Sequence, residues 1–129
     1  MSDQSDLDFE VCFYEKLVKD NPCFVNALTV LGDVYTKKGR YKDGLKIDRK
    51  LVKLTPQDPI VYYNLACSYS LLKMADSCLK ALRKALKLGC RDFSFIQKDP
   101  DLAFIRQDPR YNRLLSKYRD KHHLKAFPI

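Results

Sequence analysis

Residues 25–58 read VNALTVLGDVYTKKGRYKDGLKIDRKLVKLTPQD, and residues 59–92 read PIVYYNLACSYSLLKMADSCLKALRKALKLGCRD. The two 34-residue stretches superimpose without gaps, and their apolar residues coincide at spacing i, i+3, i+4, i+7, which is one face of a helix. In the first halves these are Leu28, Leu31, Gly32 and Tyr35 over Tyr62, Leu65, Ala66 and Tyr69. In the second halves they are Gly44, Leu45, Leu51, Val52 and Leu54 over Cys78, Leu79, Ala85, Leu86 and Leu88. A repeat of this length, made of two helices, predicts stacked helix pairs.

Turn-forming residues separate the helices. Gly39 and Gly89 can each end a helix, because glycine tolerates a positive φ. Asp58-Pro59 supplies a side-chain acceptor and then a proline suited to the first helical turn, and Asp99-Pro100 and Asp108-Pro109 repeat that signal. We expect helices near residues 25–38, 41–54, 59–72 and 75–88, with flanking helices near 7–20 and 109–120. No segment alternates strictly between apolar and polar residues, so the expected fold class is all-α.

The period and its residues resemble the tetratricopeptide repeat (TPR) family. The matching residues are Leu31, Gly32, Tyr35, Gly39, Tyr41 and Pro56 in the first unit and Leu65, Ala66, Tyr69 and Ala85 in the second. The small residues on facing helices let two backbones approach closely. The resemblance implies a single domain, a short α-solenoid: a half unit (7–22), two units (25–58 and 59–92), a C-terminal cap (93–120) similar to the end of bacterial arrays of this family, and a tail (121–129).

Three residues depart from the repeat pattern. Glu10 occupies the small-residue position of the half unit, which suits an end that faces solvent. Asp48 stands where the pattern has a large apolar side chain, so its carboxylate must either reach water or be paired. Lys73 replaces the turn glycine, so the turn that contains it is expected to differ in shape.

Composition and charge bound the class of protein. The chain has 129 residues, 46% hydrophobic and 31% charged, and its apolar runs are far shorter than a membrane span requires. The acidic N-terminus lacks the pattern of a signal peptide, and the five cysteines lack metal-ligand spacing, so we expect a cytoplasmic chain with free thiols. Residues 80–129 hold 13 basic and 5 acidic residues, which accounts for the whole net charge of +8.

The family's binding surface is lined by the first helix of each pair. Carried over to this chain, the resemblance implies partner contacts from Asn26, Thr29, Asp33 and Lys37, and from Tyr63, Asn64, Cys67 and Ser70. Tyr63 is the expected anchor, with Asn64 and Asn26 giving polar contacts, whereas Tyr62 is expected to pack inside the pair. Thr29 and Asp33 stand where members that grip a C-terminal carboxylate have Lys and Asn, which disfavours a clamp for chaperone tails.

Two basic stripes form a second candidate surface. The residues are Lys80, Arg83, Lys84 and Lys87 in one helix and Arg110, Arg113 and Lys117 in the last helix. A solvated charged face and a contact with an acidic protein both fit this pattern. Nucleic acid fits less well, because the interleaved aromatic residues fall on the buried side.

No catalytic triad, phosphate-binding loop, metal-ligand set or cofactor motif is visible in the sequence. We therefore expect a non-catalytic scaffold that holds a partner protein or peptide and does not span a membrane. Two alternatives stay open: a small basic adaptor for nucleic acid or an anionic surface, and a structural subunit docked in a larger assembly. Self-association through the open end of the stack belongs with the second alternative, since short repeat arrays gain stability from further stacking.

Overall fold

The computed structural model describes the backbone of residues 4–126 and the side chains of residues 5–120. Its elements are α1 (Gln4–Asp20), α2 (Val25–Lys37), α3 (Tyr41–Leu54), α4 (Pro59–Leu71), α5 (Ala75–Leu88), α6 (Phe93–Lys98), a 3₁₀ turn (Pro100–Leu102), α7 (Ala103–Arg106) and α8 (Pro109–Ala126). No strand occurs between residues 4 and 126, so the all-α prediction is confirmed for the described chain. The contacts divide the chain into two compact units, Met1–Gln57 and Asp58–Ile129.

The first unit contains α1, α2 and α3. Its core is made of Leu7, Val11, Leu31, Val34 and Tyr35, with Tyr14, Val18 and Ile47 packed against it. A Cβ on Gly44 would lie 3.6 Å from the carbonyl oxygen of Gly32, so the close approach predicted for the two small residues is present. Asp48 is buried instead of turned to water.

The second unit contains the remaining elements, and α4 and α5 form its central pair. The 3₁₀ turn and α7 pack on α4, and α8 packs on α5 and α7. The fully buried side chains Leu82, Ile96, Leu102, Ile105 and Leu115 show that the C-terminal segment shares one core with the pair.

The predicted helix starts form as expected. Asp58 accepts from the amide of Ile60 at 2.9 Å, Asp99 from Asp101 at 3.0 Å and Asp108 from Arg110 at 2.9 Å. Each aspartate satisfies an amide that the first helical turn leaves without a partner.

The helix ends also follow the predicted signals. Gly39 and Gly89 have φ of 80° and 118°. The turn at Lys73 was expected to differ in shape, and this expectation is wrong, because Lys73 takes the same left-handed conformation at φ 61°. Of the expected tail 121–129, residues 121–126 continue α8, and residues 127–129 lie outside the described chain.

Candidate functional site

The binding face expected on α4 is covered in the structure. Tyr63, Cys67 and Ser70 are only 6%, 6% and 0% exposed, and Asn64 is half-buried. The expectation that these side chains form an open groove, with Tyr63 as its exposed anchor, is therefore wrong for this structure. Tyr62, expected inside the pair, is half-buried, and the Nζ of Lys84 lies 5.8 Å from its ring centre.

Asp99 fixes the C-terminal segment over this face. Its Oδ2 accepts a hydrogen bond from the Tyr63 hydroxyl at 2.5 Å and a weak one from the Cys67 thiol at 3.8 Å. The Ile105 amide donates to the Ser70 hydroxyl at 3.4 Å, and Phe95 brings its ring centre to 6.1 Å from that of Tyr63. Residues 93–106 thus occupy the face of α4 where an external partner was expected.

The polar groups under this segment are held in their neutral forms. Burial, followed by the neighbouring Cys67 and Asp99, raises the pKa of Tyr63 above its ordinary value. Burial, followed by the charges of Asp99 and Asp101, raises the pKa of the Cys67 thiol. Tyr63 therefore acts as a hydrogen-bond donor within the fold, and neither group is poised as a nucleophile or a base.

One feature of the sequence indicated this burial. Helix α4 reads PIVYYNLACSYSL and has no charged residue, so it is apolar or weakly polar around its whole circumference. A helix of that kind is buried on several sides, whereas one side of an amphipathic helix faces water. The 34-residue period identifies the side that meets α5, and it carries no information about what covers the other side.

The corresponding row on α2 is exposed. Asn26, Thr29, Asp33 and Lys37 all face solvent in the first unit. Thr29 donates to the carbonyl of Val25 at 2.9 Å, and Asp33 pairs with Lys37 at 3.0 Å. The hydrogen bond and charge of Asp33 raise the pKa of Lys37. Among the described residues, the side chain of Asn26 makes neither a hydrogen bond nor an ion pair of the kind that the other three members of this row make.

The two basic stripes converge on one cleft, which lies between α5 and α8. Its cavity of about 680 Å³ is lined by Asp76, Leu79, Lys80, Arg83, Arg110, Arg113, Leu114 and Lys117. Leu79 and Leu114 are buried and form an apolar floor, while the exposed cations form the rims. Lys84 and Lys87, predicted to belong to the same surface, do not line the cleft.

The cations of this basic cleft differ in how far they are compensated. Arg110 bonds to Asp76 and to Asp108, both at 2.8 Å, and these hydrogen bonds raise its pKa. The same contact with Arg110 lowers the pKa of Asp108 to about 2. Within the described part of the chain, Lys80, Arg83, Arg113 and Lys117 have no salt bridge. These four cations leave the cleft with a positive potential that a bound carboxylate would neutralise.

Other kinds of site have no support among the described residues. No group of three or more His, Cys, Asp or Glu side chains there is arranged to hold a metal ion. None of the described helices is both long and apolar enough to cross a bilayer. All five cysteines are free thiols: Cys12 and Cys23 are exposed, Cys90 is half-buried, and Cys67 and Cys78 are buried.

Comparisons with known proteins agree with this architecture. The sequence model of the tetratricopeptide repeat family matches residues 60–88, which lie within the pair α4–α5. A chloroplastic protein of Arabidopsis thaliana is 36% identical over 87 residues, which are 65% of this chain and 26% of that protein. This chain thus spans about a quarter of that relative's length.

A solved structure supports the same fold. The RS-1 ArsTM double mutant of MamA, a TPR protein, has a TM-score of 0.74 and 23% identity to this chain. The match covers 95% of this chain and 67% of the MamA chain. It confirms the predicted all-α fold of TPR-like helix pairs. Together with the match of the family's sequence model over residues 60–88, this fold supports the resemblance of the chain to the tetratricopeptide repeat family.

Proposed function

We propose that the chain is a non-catalytic scaffold that binds a partner protein by an acidic, partly apolar segment of that partner, held in the basic cleft. TPR proteins in general serve protein interaction, which is the coarse function that the family supports. The observation that carries the finer proposal is the convergence of Lys80, Arg83, Arg113 and Lys117 around a leucine floor.

Within the cleft, the apolar floor and the charged rims contribute to binding in different ways. Leu79 and Leu114, each 6% exposed, form a small apolar floor, and the aliphatic stems of the rim side chains extend it as surface for leucine or aromatic side chains of the partner. The cations steer acidic segments toward the cleft and set their register, an effect that weakens as salt rises. Arg83 and Arg113 can each form two parallel hydrogen bonds with a carboxylate, which a lysine cannot do.

The burial of the nearby aromatic residues favours a protein partner over a nucleic acid. Tyr111 and Tyr118 are 1% and 6% exposed, so neither ring can stack on a base. A basic adaptor for nucleic acid is the runner-up, and it predicts a cleft that binds phosphate backbones without needing the leucines.

The exposed row of α2 remains part of the proposal as a second contact surface. Its side chains are exposed to solvent: Asn26, Thr29, Asp33 and Lys37. The proposed contact surface no longer includes Tyr63, Cys67 and Ser70, because they are buried. We keep the cytoplasm as the proposed compartment, because five free thiols suit a reducing environment.

The test is selection from a random peptide library displayed on phage against the immobilised chain. We expect enriched peptides that combine Asp or Glu with leucine or aromatic residues, and we expect their binding to fall with added salt. The charge-reversal variant Arg83→Glu/Arg113→Glu should lose these peptides. The control Lys87→Glu/Lys98→Glu makes the same change in net charge at exposed positions outside the cleft, and it should retain them.

Three results would contradict the proposal. Enriched peptides that bind the Arg83→Glu/Arg113→Glu variant as well as the wild type would remove the cleft as their site. Enriched peptides without a preference for acidic residues would show that the cleft does not select its partner by negative charge. Binding of a mixed-sequence single-stranded DNA at the cleft, without binding of any acidic peptide, would favour the runner-up.

A further inference from the structure

Helix α1 exposes an aromatic and acidic surface. Phe9 and Phe13 are 71% and 51% exposed, with ring centres 6.3 Å apart in a stacked arrangement. The Phe13 ring meets the Tyr14 ring edge-on at 5.0 Å. A groove of about 420 Å³ runs along this side, lined by Asp6, Phe9, Glu10, Phe13 and Tyr14. Two phenylalanines exposed side by side on one helix are typical of an interaction surface.

The 34-residue register identifies what kind of surface this is. Glu10 and Phe13 correspond to Gly44 and Ile47 of α3. In the first unit those two residues lie against α2, since a Cβ on Gly32 would be 3.3 Å from the Cγ2 of Ile47. The exposed side of α1 is therefore a side that another helix covers in the neighbouring pair. This side has the shape to pack against helices, and no helix formed by the described residues of its own unit lies on it.

The charge of this surface is opposite to that of the basic cleft. Between residues 5 and 15 the chain has four carboxylates, Asp6, Asp8, Glu10 and Glu15, and no basic residue. Asp8 and Glu15 pair with Lys38 and Arg40 of the same unit. Asp6 and Glu10 line the groove beside the phenylalanines. Acidic residues interleaved with large apolar ones are the chemistry that the basic cleft is proposed to bind.

We infer that α1 of one copy docks in the basic cleft of a second copy. Phe9 and Phe13 would lie on Leu79 and Leu114, while Asp6 and Glu10 would face the cations of the rims. This inference rests on the proposed function, because it names an occupant of the same cleft. The two surfaces are different, so the contact is heterologous, and a dimer joined by one such contact keeps one free α1 and one free cleft.

A heterologous contact of this type has two measurable consequences. Assembly continues beyond the dimer as concentration rises, because every added copy presents a new free α1 or a new free cleft. Assembly also weakens with salt, because it joins an acidic surface to a basic one. A symmetric pairing of α1 with α1 would stop at the dimer and would bring carboxylates together.

The test uses two variants that each disable one surface. Phe9→Ser/Phe13→Ser removes the aromatic side chains of α1 at positions that are exposed, so the fold should be retained. Arg83→Glu/Arg113→Glu reverses the charge of one residue on each rim of the cleft and leaves α1 intact. Sedimentation velocity across a series of protein concentrations, at low and at high salt, follows assembly of each variant and of their mixture.

We expect the wild type to form dimers and larger species at low salt. Each variant alone should be monomeric in that range, with a dissociation constant raised about 30-fold or more, as loss of aromatic or arginine contacts at an interface centre typically gives. An equimolar mixture should form a dimer that grows no further, because it contains one intact α1 and one intact cleft per pair.

The other outcomes separate this inference from the proposed function. Wild type that stays monomeric while acidic library peptides bind the cleft overturns the self-docking and leaves the scaffold proposal standing. Assembly lost in Phe9→Ser/Phe13→Ser but kept in Arg83→Glu/Arg113→Glu shows α1–α1 pairing and also overturns the inference. Self-association that needs both surfaces, without any acidic peptide bound, leaves the inference standing and restricts the cleft to this one occupant.

Discussion

Two adjacent tyrosines of α4 should differ sharply in what their side chains contribute to stability. Tyr63 is 6% exposed and bonded to Asp99, whereas Tyr62 is half-buried and has the Nζ of Lys84 over its ring. Since the substitutions Tyr63→Ala and Tyr62→Ala remove the same atoms from neighbouring positions of one helix, each is a control for the other.

The expected magnitudes follow from burial and bonding. Removal of a buried aromatic side chain costs about 3–5 kcal/mol of the free energy of unfolding. Tyr63→Ala should lie in that range, because it also leaves Asp99 without its shortest hydrogen bond. A half-exposed ring leaves no cavity when it is removed, so only about half of the roughly 1.5–3 kcal/mol for burying such a side chain is lost, and the exposed cation–π contact adds about 0.5 kcal/mol. Tyr62→Ala should therefore cost about 1–2 kcal/mol.

The hydroxyl contribution can be separated by Tyr63→Phe. This change keeps the ring against Phe95 and removes only the donor to Asp99. A hydrogen bond to a charged acceptor contributes about 1.5–3 kcal/mol when buried, and Asp99 is half-buried, so we expect a loss near the lower end.

Urea unfolding followed by far-UV circular dichroism measures all three variants. With an m-value of about 1.5 kcal/mol per M, a loss of 3 kcal/mol moves the midpoint by about 2 M. The order of destabilisation should be Tyr63→Ala, then Tyr63→Phe and Tyr62→Ala. A midpoint for Tyr62→Ala at or below that of Tyr63→Ala would refute the burial of Tyr63 under residues 93–106.

Three other properties should follow from the described positions. Lys73→Gly should raise the free energy of unfolding by about 0.5–1 kcal/mol, since it removes a side chain from a left-handed residue at φ 61°. Gly39→Lys at the equivalent turn should lower the free energy of unfolding for the same reason. Equal urea midpoints for the wild type and these two variants would contradict this prediction. In thiol titration with an aromatic disulfide, Cys12 and Cys23 should react at once and Cys67 and Cys78 only after unfolding, with five thiols counted in total; rapid native reaction of Cys67 would argue against its burial. Burial raises the pKa of Cys78 from 9.0 to about 12, so the unfolded thiol ionises first and stability should fall as pH rises from about 9 toward 12. Urea midpoints on either side of pH 9 should therefore drop less in Cys78→Ala than in the wild type or Cys12→Ala, and equal drops would contradict the assigned burial.

The sequence by itself determined the helices and their pairing. A 34-residue period, aspartate–proline starts and glycine ends are local signals, and each acts within a few residues of the backbone it shapes. For this reason the bounds of α2, α3, α4 and α5 agree with the structure to within one residue of those expected. The close approach at Gly32 and Gly44 was visible for the same reason, because both lie on the shared face of one pair.

Only the tertiary structure decided which helix faces remain open. Tyr63 is covered by Asp99, 36 residues away in sequence, and no periodicity relates those two positions. Arg83 and Arg113 come together because α8 packs on α5, whereas the sequence shows two separate stripes. Burial against a distant segment depends on the packing of whole elements, so the period could place Tyr63 on a helix face and could not tell whether water or a second segment lies on it.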